Sequence, residues 1–407
     1  MHSPARRSLL PILAGALFVA AAVVAALQGV PLADEIVHYR QAQAFATGNF
    51  AADPDLTTIP GFHAVVAAVL AALPVASLGA ARGVTMVFAL VAVAGFASIR
   101  RALAPADDWR LPTAQLLFLP ILFPFAFLLY TDVPSLALVV WALRFALDGQ
   151  HARAGAAGIA SLLVRQTNVV WIAFISLLPL LDTRPGAGGA YRQRPTARTL
   201  WPYAIAIGAF AGYWLWQGRI SLSTTQAHAH PDFSLHSGNL FLMLFVAAIL
   251  FAPLLPAWLA RYAAAARAQP AWLAVPIVFG ILYAATFRSD HPYNAFLPDI
   301  VLRNGLLMYV TGHAWASVAF GAIGVVGACA LSQVRWLRPS FALLMPVSAL
   351  FVCASWLIEV RYYITPLALL LALRAPEGRR AERLLLLWWM PLALALFAGM
   401  MRVRYFP

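Results

Sequence analysis

The sequence predicts an all-α polytopic membrane protein, and three observations carry that prediction. Hydrophobic residues make up 62% of the 407-residue chain, and mean hydropathy is +0.79. Apolar runs recur at bilayer-spanning length, which is far more apolar surface than one soluble core could bury. The charged residues, only 11% of the total, are crowded into the short segments between those runs.

The first run, "LLPILAGALFVAAAVVAALQGV", follows the basic "MHSPARR". At about 20 residues it exceeds the roughly 7 to 15 of a signal-peptide core, so it is expected to stay as the first span. All 28 basic residues are Arg. The formal charge of +13 therefore reads partly as GC-rich codon usage, and no nucleic-acid partner is inferred from it. Cys329 and Cys353 both fall inside apolar runs, where a thiol behaves as a small hydrophobe. Neither a disulfide framework nor a zinc site is indicated.

Sides follow from the alternation that places most Arg in the cytoplasm, starting with the N-terminus inside. Residues 33–61 then lie outside. The run at 62–78 contains Pro74 and is followed by a second run ending in Arg100 and Arg101. Were both runs spans, those arginines would face out, so 62–78 is expected to lie along the outer surface or dip in without crossing. With a second span near 80–99, the loops "RRALAPADDWR", "RFALDGQHAR", "DTRPGAGGAYRQRPTAR", "ARYAAAARAQ", "SQVRWLRPS" and "LRAPEGRRAER" become cytoplasmic. Together with the N-terminus they hold about 19 of the 28 Arg. The outer segments, 33–61, 130–135, 164–169, 218–239, 287–304 and 358–363, gather nearly all the acids, His, Asn and Gln. The expectation is about 13 spans, with the runs at 154–164 and 169–181 shorter than the roughly 17 residues a span usually needs. The chain reads as one integral membrane domain, 1–407, with 33–80 as its first external loop and no fixed-period repeat.

Asp34 and Glu35 follow the first span directly, at the depth where an outward cavity would begin. Adjacent residues point different ways on a helix, so one acid can face a cavity while the other fixes the loop. A solvated helix start suits these two residues equally well when they are taken alone. Their company favours chemistry. Arg165, Gln166, Thr167 and Asn168 sit between two short apolar runs, and Glu359 and Arg361 stand between "PVSALFVCASWLI" and "YYITPLALLLAL". Ionisable groups at membrane depth are costly, so they pair with each other or serve a pathway. Arg also suits a phosphate, which its planar fork grips in two places.

Other polar clusters are weaker. His228, His230 and His236, with Asp232 among them, invite a metal reading, but His-x-His spacing without further ligands favours a solvated loop. Asp290 and His291, near Arg288 and Arg303, form a mixed-charge outer loop. Asp132 in "YTDVPS" can cap a span that begins at Pro134. GxxxxGK[ST], GxSxG, HExxH and GxGxxG are all missing, which disfavours a nucleotide-driven pump or a soluble nucleotide-sugar enzyme. An outward acid with several outward Arg at a lipid-accessible cavity suits transfer from a lipid-phosphate donor.

These same blocks resemble a known family. "DEIVHYRQAQAFATGNFAADPDLTTIPG" is similar to the "DEIFH, PQAQ, G-F, WDP-ITT-PG" segment of the eukaryotic glucosyltransferases that add the terminal α-1,2-linked glucose to the dolichol-linked N-glycan precursor. In the same order, "LLYTDVPS" resembles that family's "YYTEAGS", "VRQTNVVW" its "FRQTNIIW", "RSDHPYNAF" more loosely its "ADNRHYTF", and "LIEVRYYITP" its "LLEFRYFILP". The resemblance implies a GT-C-type glycosyltransferase, a multi-span fold with an acid in the first external loop and surface-lying helices after it. It implies a polyprenyl-phosphate-linked sugar donor, a glycan or lipid-linked oligosaccharide acceptor, contact with membrane lipid, no cofactor and no obligatory metal. Asp34 and Glu35 become the catalytic acids. His38, Arg40, Gln41, Asp53, Asp132, Arg165, Gln166, Asn168, Asp290, Glu359 and Arg361 become candidate contacts to donor or acceptor.

The chain departs from the family at several places. The Trp before Asp53 is Ala52 here, a Glu is replaced by Asp132, and the middle of the chain is shorter with a different His-bearing loop. Transfer from a lipid carrier is thus better supported than the same acceptor. The all-Arg, Ala-rich composition points to a bacterial inner membrane with the site facing the periplasm, or to the ER membrane with a luminal site in a eukaryote. Two rival readings remain. One is a flippase or transporter of lipid-linked sugars, which often shows two related halves not seen here. The other is a lipid-carrier glycan ligase.

Overall fold

A computed structural model describes residues 10–182, 196–225, 229–232 and 234–407. The "MHSPARR" start, most of the basic loop at 183–195, and His228 lie outside the described residues. Among those described, the chain forms seventeen α-helices and no β-strand, only two isolated bridges.

The first helix, α1 (Leu10–Leu27), leads into a segment that carries α2 (Glu35–Ala46) and α3 (Gly61–Ala72). At 12 residues, α3 rises only about 18 Å, less than the roughly 30 Å of bilayer hydrocarbon. Next comes α4 (Leu78–Leu103), started by Ser77, whose side chain accepts the Ala80 N–H, and ended by Arg100 and Arg101 in the last turn. Cations there complement the helix dipole. The 26 residues of α4 rise about 39 Å, enough to cross.

The short α5 (Arg110–Leu117) precedes α6 (Asp132–Leu147). Then α7 (His151–Val164) and α8 (Val169–Leu181) fold back on one another at a 3₁₀ turn, Gln166–Asn168, with Gly158 against Ile172. The chain continues through α9 (Ala197–Gln217), α10 (Gly238–Leu250), α11 (Leu255–Ala268), α12 (Ala274–Thr286), α13 (Leu302–Gly312), α14 (Ala314–Leu331), α15 (Leu344–Cys353), α16 (Ile364–Leu373) and α17 (Arg379–Met401).

Three helices, α4, α14 and α17, are each long and apolar enough to cross a membrane, and α10 with α11 passes as a pair bent by 69°. The bend falls at Ala252–Leu254, where Pro253 lacks the N–H that would continue the ladder. Six further apolar helices have 10–17 residues. Several of these short helices begin at 3₁₀ turns, such as Pro339–Leu343 and Val360–Tyr363, so apolar runs that look continuous in sequence are broken in space. With these apolar helices the chain is an all-helical membrane protein. Its flanks carry exposed Val19, Val87, Leu90, Ile281 and Trp216, as lipid-facing helix surfaces do.

Inside, Phe18, Phe123 and Phe397 pack around Phe127 at ring separations of 4.8, 5.1 and 5.2 Å. They join α1, α17 and the 3₁₀ turn Pro124–Phe127. Gly95 lets α6 approach α4 closely, since a Cβ there would meet Val140 at 2.9 Å. Small residues serve this purpose at membrane helix crossings.

Polar contacts sort the loops into two ends. At one end Arg100 donates to the Ala372 and Arg374 carbonyls, Arg261 and Arg335 reach Glu377, and Arg338 reaches Asp182. At the other, Gln166 donates to Thr57 and Ile220, and Asn294 donates to Ile358. The C-terminal segment also lies at this second end, where Gln28 donates to the Met401 carbonyl.

Candidate active site

The site is built where the segment between α1 and α4 meets the break between α15 and α16. Just past α1 the backbone turns through Ala33, which holds φ +51°, a conformation costing of order 1 to 3 kcal/mol for a residue with a Cβ. The turn brings the Asp34 N–H 3.0 Å from the Tyr130 hydroxyl, which itself donates to the Leu32 carbonyl. Asp34 stands at the N-cap of α2, but its side chain makes no capping bond. Its carboxylate is instead 2.9 Å from Arg361 and 54% exposed, so it is open to solvent.

Arg361 is the hub. It contacts Asp34, Glu359 at 3.1 Å and Asp132 at 3.9 Å, and its guanidinium lies 5.0 Å from the Tyr130 ring, a favourable cation–π placement. Glu359 also pairs with Arg303, and Asp132 with Arg165. The result is one chain of alternating charge: Arg303, Glu359, Arg361, then Asp34 and Asp132, then Arg165.

Each member is placed by a helix end or a break. Asp132 is the first residue of α6, at the positive end of its dipole. It makes no capping bond, so the expectation that it caps this span is corrected; the carboxylate turns to Arg165 instead. Arg165 stands at the α7–α8 break because its extended backbone, φ −147°, ends α7. Glu359 is held by Asn239, whose side-chain oxygen accepts the Glu359 N–H and the Tyr363 hydroxyl. The same Asn239 donates to the Ser355 and Leu357 carbonyls.

Glu35 has a different setting from its neighbour. It is fully buried against fully buried Arg82. Its oxygens take two bonds from that guanidinium, at 2.9 and 2.6 Å, and the backbone N–H groups of Leu32 and Leu129. Arg82 in turn donates to the carbonyls of Ala25, Gln28 and Val30. The pair ties α1, α2, α4 and the segment before α6 together, and Glu35 does not face the cavity.

The remaining sequence candidates divide. His38 meets His63 at 2.8 Å and packs edge-on to Tyr130 at 5.6 Å, immediately behind Asp34. Gln41 clamps the loop by accepting the Asp53 N–H and donating to the Ala51 carbonyl. Arg40, 52% exposed, pairs with Asp53 and Asp55 on the surface. Gln166 joins the segment before α3 to the segment after α9, and Asn168 locks the α7–α8 turn through Ser135 and Ser161. Asp290 accepts the Trp356 indole N–H. Thus Asp34, Asp132, Arg165, Glu359 and Arg361 converge, whereas Arg40, Gln41, Asp53, Gln166, Asn168 and Asp290 brace loops. His230 lines a cavity, and His236 stacks on Trp356.

That cavity, about 240 Å³, adjoins the charge chain on its Arg165 side and is lined by Thr57, Gln166, Ser221, Asp232, Trp356 and Tyr362 among others. The Arg361 guanidinium beside Asp34, helped by Arg303, holds its carboxyl below the usual range. Burial pushes His38 down to about 4 despite the nearby Asp34 charge, so it is a neutral ring at physiological pH. Glu359 is also held low, Arg303 and Arg361 overcoming its burial.

Arg303, Tyr130, Arg82 and Asn239 were not singled out as site residues in the sequence. Arg303 sat in a mixed-charge loop with no partner in view. Arg82 was hidden inside an apolar run, where a lone Arg is itself a signal of a buried counter-charge.

Comparison with known proteins agrees with the sequence blocks. Residues 28–189 match the model of the DIE2/ALG10 family. The chain is 26% identical over 375 residues to a Drosophila melanogaster protein named Dol-P-Glc:Glc(2)Man(9)GlcNAc(2)-PP-Dol alpha-1,2-glucosyltransferase, covering 82% of this chain and 81% of that one. Proteins of the same name from Arabidopsis thaliana and Rattus norvegicus are 32% and 30% identical, each with 34% of its length matched. No solved structure matches. Residues 28–189, which carry Asp34, Asp132 and Arg165, are thus similar to the DIE2/ALG10 family, and the Drosophila alignment carries a weaker likeness over most of the chain.

Proposed function

We propose that the protein moves a hexose, glucose in the first instance, from a polyprenyl-phosphate donor to a hydroxyl of a glycan acceptor. The observation that carries this reading is the contact between an exposed carboxylate, Asp34, and the Arg361 guanidinium at 2.9 Å. It puts a proton acceptor beside a phosphate-binding group. The names of the relatives supply the donor class, a dolichyl-phosphate glucose, and the acceptor class, a lipid-linked oligosaccharide. The rings of Trp356 and Tyr362 with the hydroxyls of Thr57, Ser221 and Ser355 offer the faces and hydrogen-bonding groups that a sugar needs.

The chemistry is a single inverting displacement. The acceptor hydroxyl oxygen attacks the anomeric carbon, the bond from that carbon to the phosphate oxygen breaks, and Asp34 takes the hydroxyl proton. The lipid phosphate leaves with the electron pair, its charge met by Arg361 and Arg165. Phosphate is a stable leaving group, so no metal is required for this step. A donor phosphate at Arg361 also draws the guanidinium away from Asp34, which raises the basicity of that carboxylate when the donor is in place. A β-linked donor gives an α product.

The fold we assign to this chemistry is of GT-C type with about 13 spans, and α2 and α3 lying on the membrane surface within residues 33–80. By the Arg distribution the site faces the extracytoplasmic side of a bacterial inner membrane. The test is incubation of the purified protein with labelled polyprenyl-phosphate glucose and lipid-linked glycans. A new glycosidic product supports the proposal. Movement of the lipid across vesicles without a new bond identifies a flippase, and transfer of a whole glycan identifies a ligase.

A further inference from the structure

The end of the molecule away from Asp34 holds a second cavity, about 280 Å³, lined by Arg100, Asp107, Asp108, Arg374, Arg379 and Glu382 together with Leu111, Pro112 and Leu371. About 27 Å of helix rise separates Arg82 from Arg100 along α4. That is close to the roughly 30 Å of bilayer hydrocarbon, so the cavity lies at the opposite membrane boundary, where lipid head groups sit.

Its floor is cationic. Arg100 and Arg374 are each 2% exposed, and the Nε of each is without a hydrogen-bond partner among the described residues. Arg374 is matched by Glu382, whose carboxylate also takes bonds from Gln115 and the Glu377 N–H. Arg100 donates to two carbonyls at the C-terminal end of α16 and has no carboxylate within ion-pair distance among the described residues. A buried guanidinium with no ionic partner is expensive and favours an anion.

The rim carries the opposite sign. Asp107 and Asp108 are exposed, and Asp108 accepts the Arg110 N–H. An anion alone would be repelled there, whereas a zwitterion with its phosphate inward and its ammonium outward satisfies floor and rim together. The cavity holds roughly nine waters' worth of space at about 30 Å³ each, and its Leu111, Pro112 and Leu371 wall suits the apolar start of a lipid.

We propose that this cavity binds the head group of one amino-phospholipid of the phosphatidylethanolamine type, its phosphate on Arg100 and Arg374 and its ammonium on Asp107 and Asp108. The test is native mass spectrometry of the detergent-purified full chain titrated with phosphatidylethanolamine, phosphatidylglycerol, phosphatidylcholine or soluble phosphoethanolamine. We expect one phosphatidylethanolamine to be retained at concentrations about tenfold below those needed for phosphatidylcholine, whose methylated ammonium donates no hydrogen bonds. The exposed double variant D107N/D108N should lose the preference over phosphatidylglycerol with an unchanged thermal midpoint, and Arg379→Gln should weaken both lipids. Equal retention of phosphatidylethanolamine and phosphatidylcholine, or a preference that survives in D107N/D108N, would overturn the proposal. So would soluble phosphoethanolamine binding as tightly as the lipid, which would make this a solute site.

Discussion

Arg361 holds the Asp34 carboxylate at 2.9 Å while lying 5.0 Å from the Tyr130 ring, joining the start of α2 to the break between α15 and α16. This contact makes Asp34 the first residue to change. Asp34→Asn keeps the side-chain shape and the backbone bond to Tyr130, and removes the proton acceptor. Transfer from polyprenyl-phosphate glucose should fall by roughly 100- to 10,000-fold with the melting temperature in detergent little changed. Wild-type turnover in the Asn variant would remove Asp34 from the chemistry.

Arg361→Lys keeps a charge and loses the planar fork that spans Asp34 and Glu359. We expect donor KM to rise and kcat to fall, for a combined loss in kcat/KM of about 100-fold, some 2.7 kcal/mol. Steady-state kinetics with donor varied at saturating acceptor measures both parameters. An unchanged donor KM would place the phosphate elsewhere.

Glu35 should behave in the opposite way to its neighbour. Glu35→Gln leaves Arg82 charged and fully buried, and losing one partner of such a pair costs about 3 to 5 kcal/mol. Thermal unfolding of the detergent-solubilised variant should show that loss, while the protein that stays folded keeps its turnover per molecule. A normal melting curve with abolished turnover would reverse the roles of the two acids.

The histidine pair makes stability pH-dependent. His38 titrates near 4 in the folded protein against a reference of 6.5, so between those values the unfolded chain binds more protons. Stability is therefore full above about pH 6.5 and declines as pH falls toward 4, by up to about 3 kcal/mol for this residue. Burial holds His63 low as well, which acts in the same direction. Melting temperatures between pH 7.5 and 4.5 should decline less steeply in His38→Gln, and an identical slope would show that other groups carry the effect.

Arg40 tests the edge of the site. Its half-exposed guanidinium pairs with the largely buried Asp53 and the exposed Asp55, and ion pairs open to water at one end contribute about 1 kcal/mol. Arg40→Ala should retain most of its activity. A large rise in acceptor KM would show that the loop carrying Asp53 contacts the glycan.

The membrane class and the main site members were legible because their signals are local. Apolar runs report helices, and the polar words around Asp34, Asp132, Arg165 and Glu359 interrupt them. What the sequence hid was partnership. Glu35 beside Asp34 looks equivalent on paper, and only the position of Arg82 on α4 separates them. Asn239 and Arg303 stand in the first turns of α10 and α13, and their roles come from where those helices deliver them. The number of crossings was obscured for a related reason: hydropathy does not register a 3₁₀ turn such as Ala252–Leu254, which breaks a helix with no polar side chain of its own.

Counted as charges, the cluster of Arg165, Arg303 and Arg361 with Asp34, Asp132 and Glu359 cancels. A closed set of this kind projects little field beyond the Debye length of about 8 to 10 Å, so it cannot steer an anionic donor from a distance. The donor must be recognised on arrival, after lateral diffusion in the membrane has delivered it, and its association rate should be nearly indifferent to ionic strength.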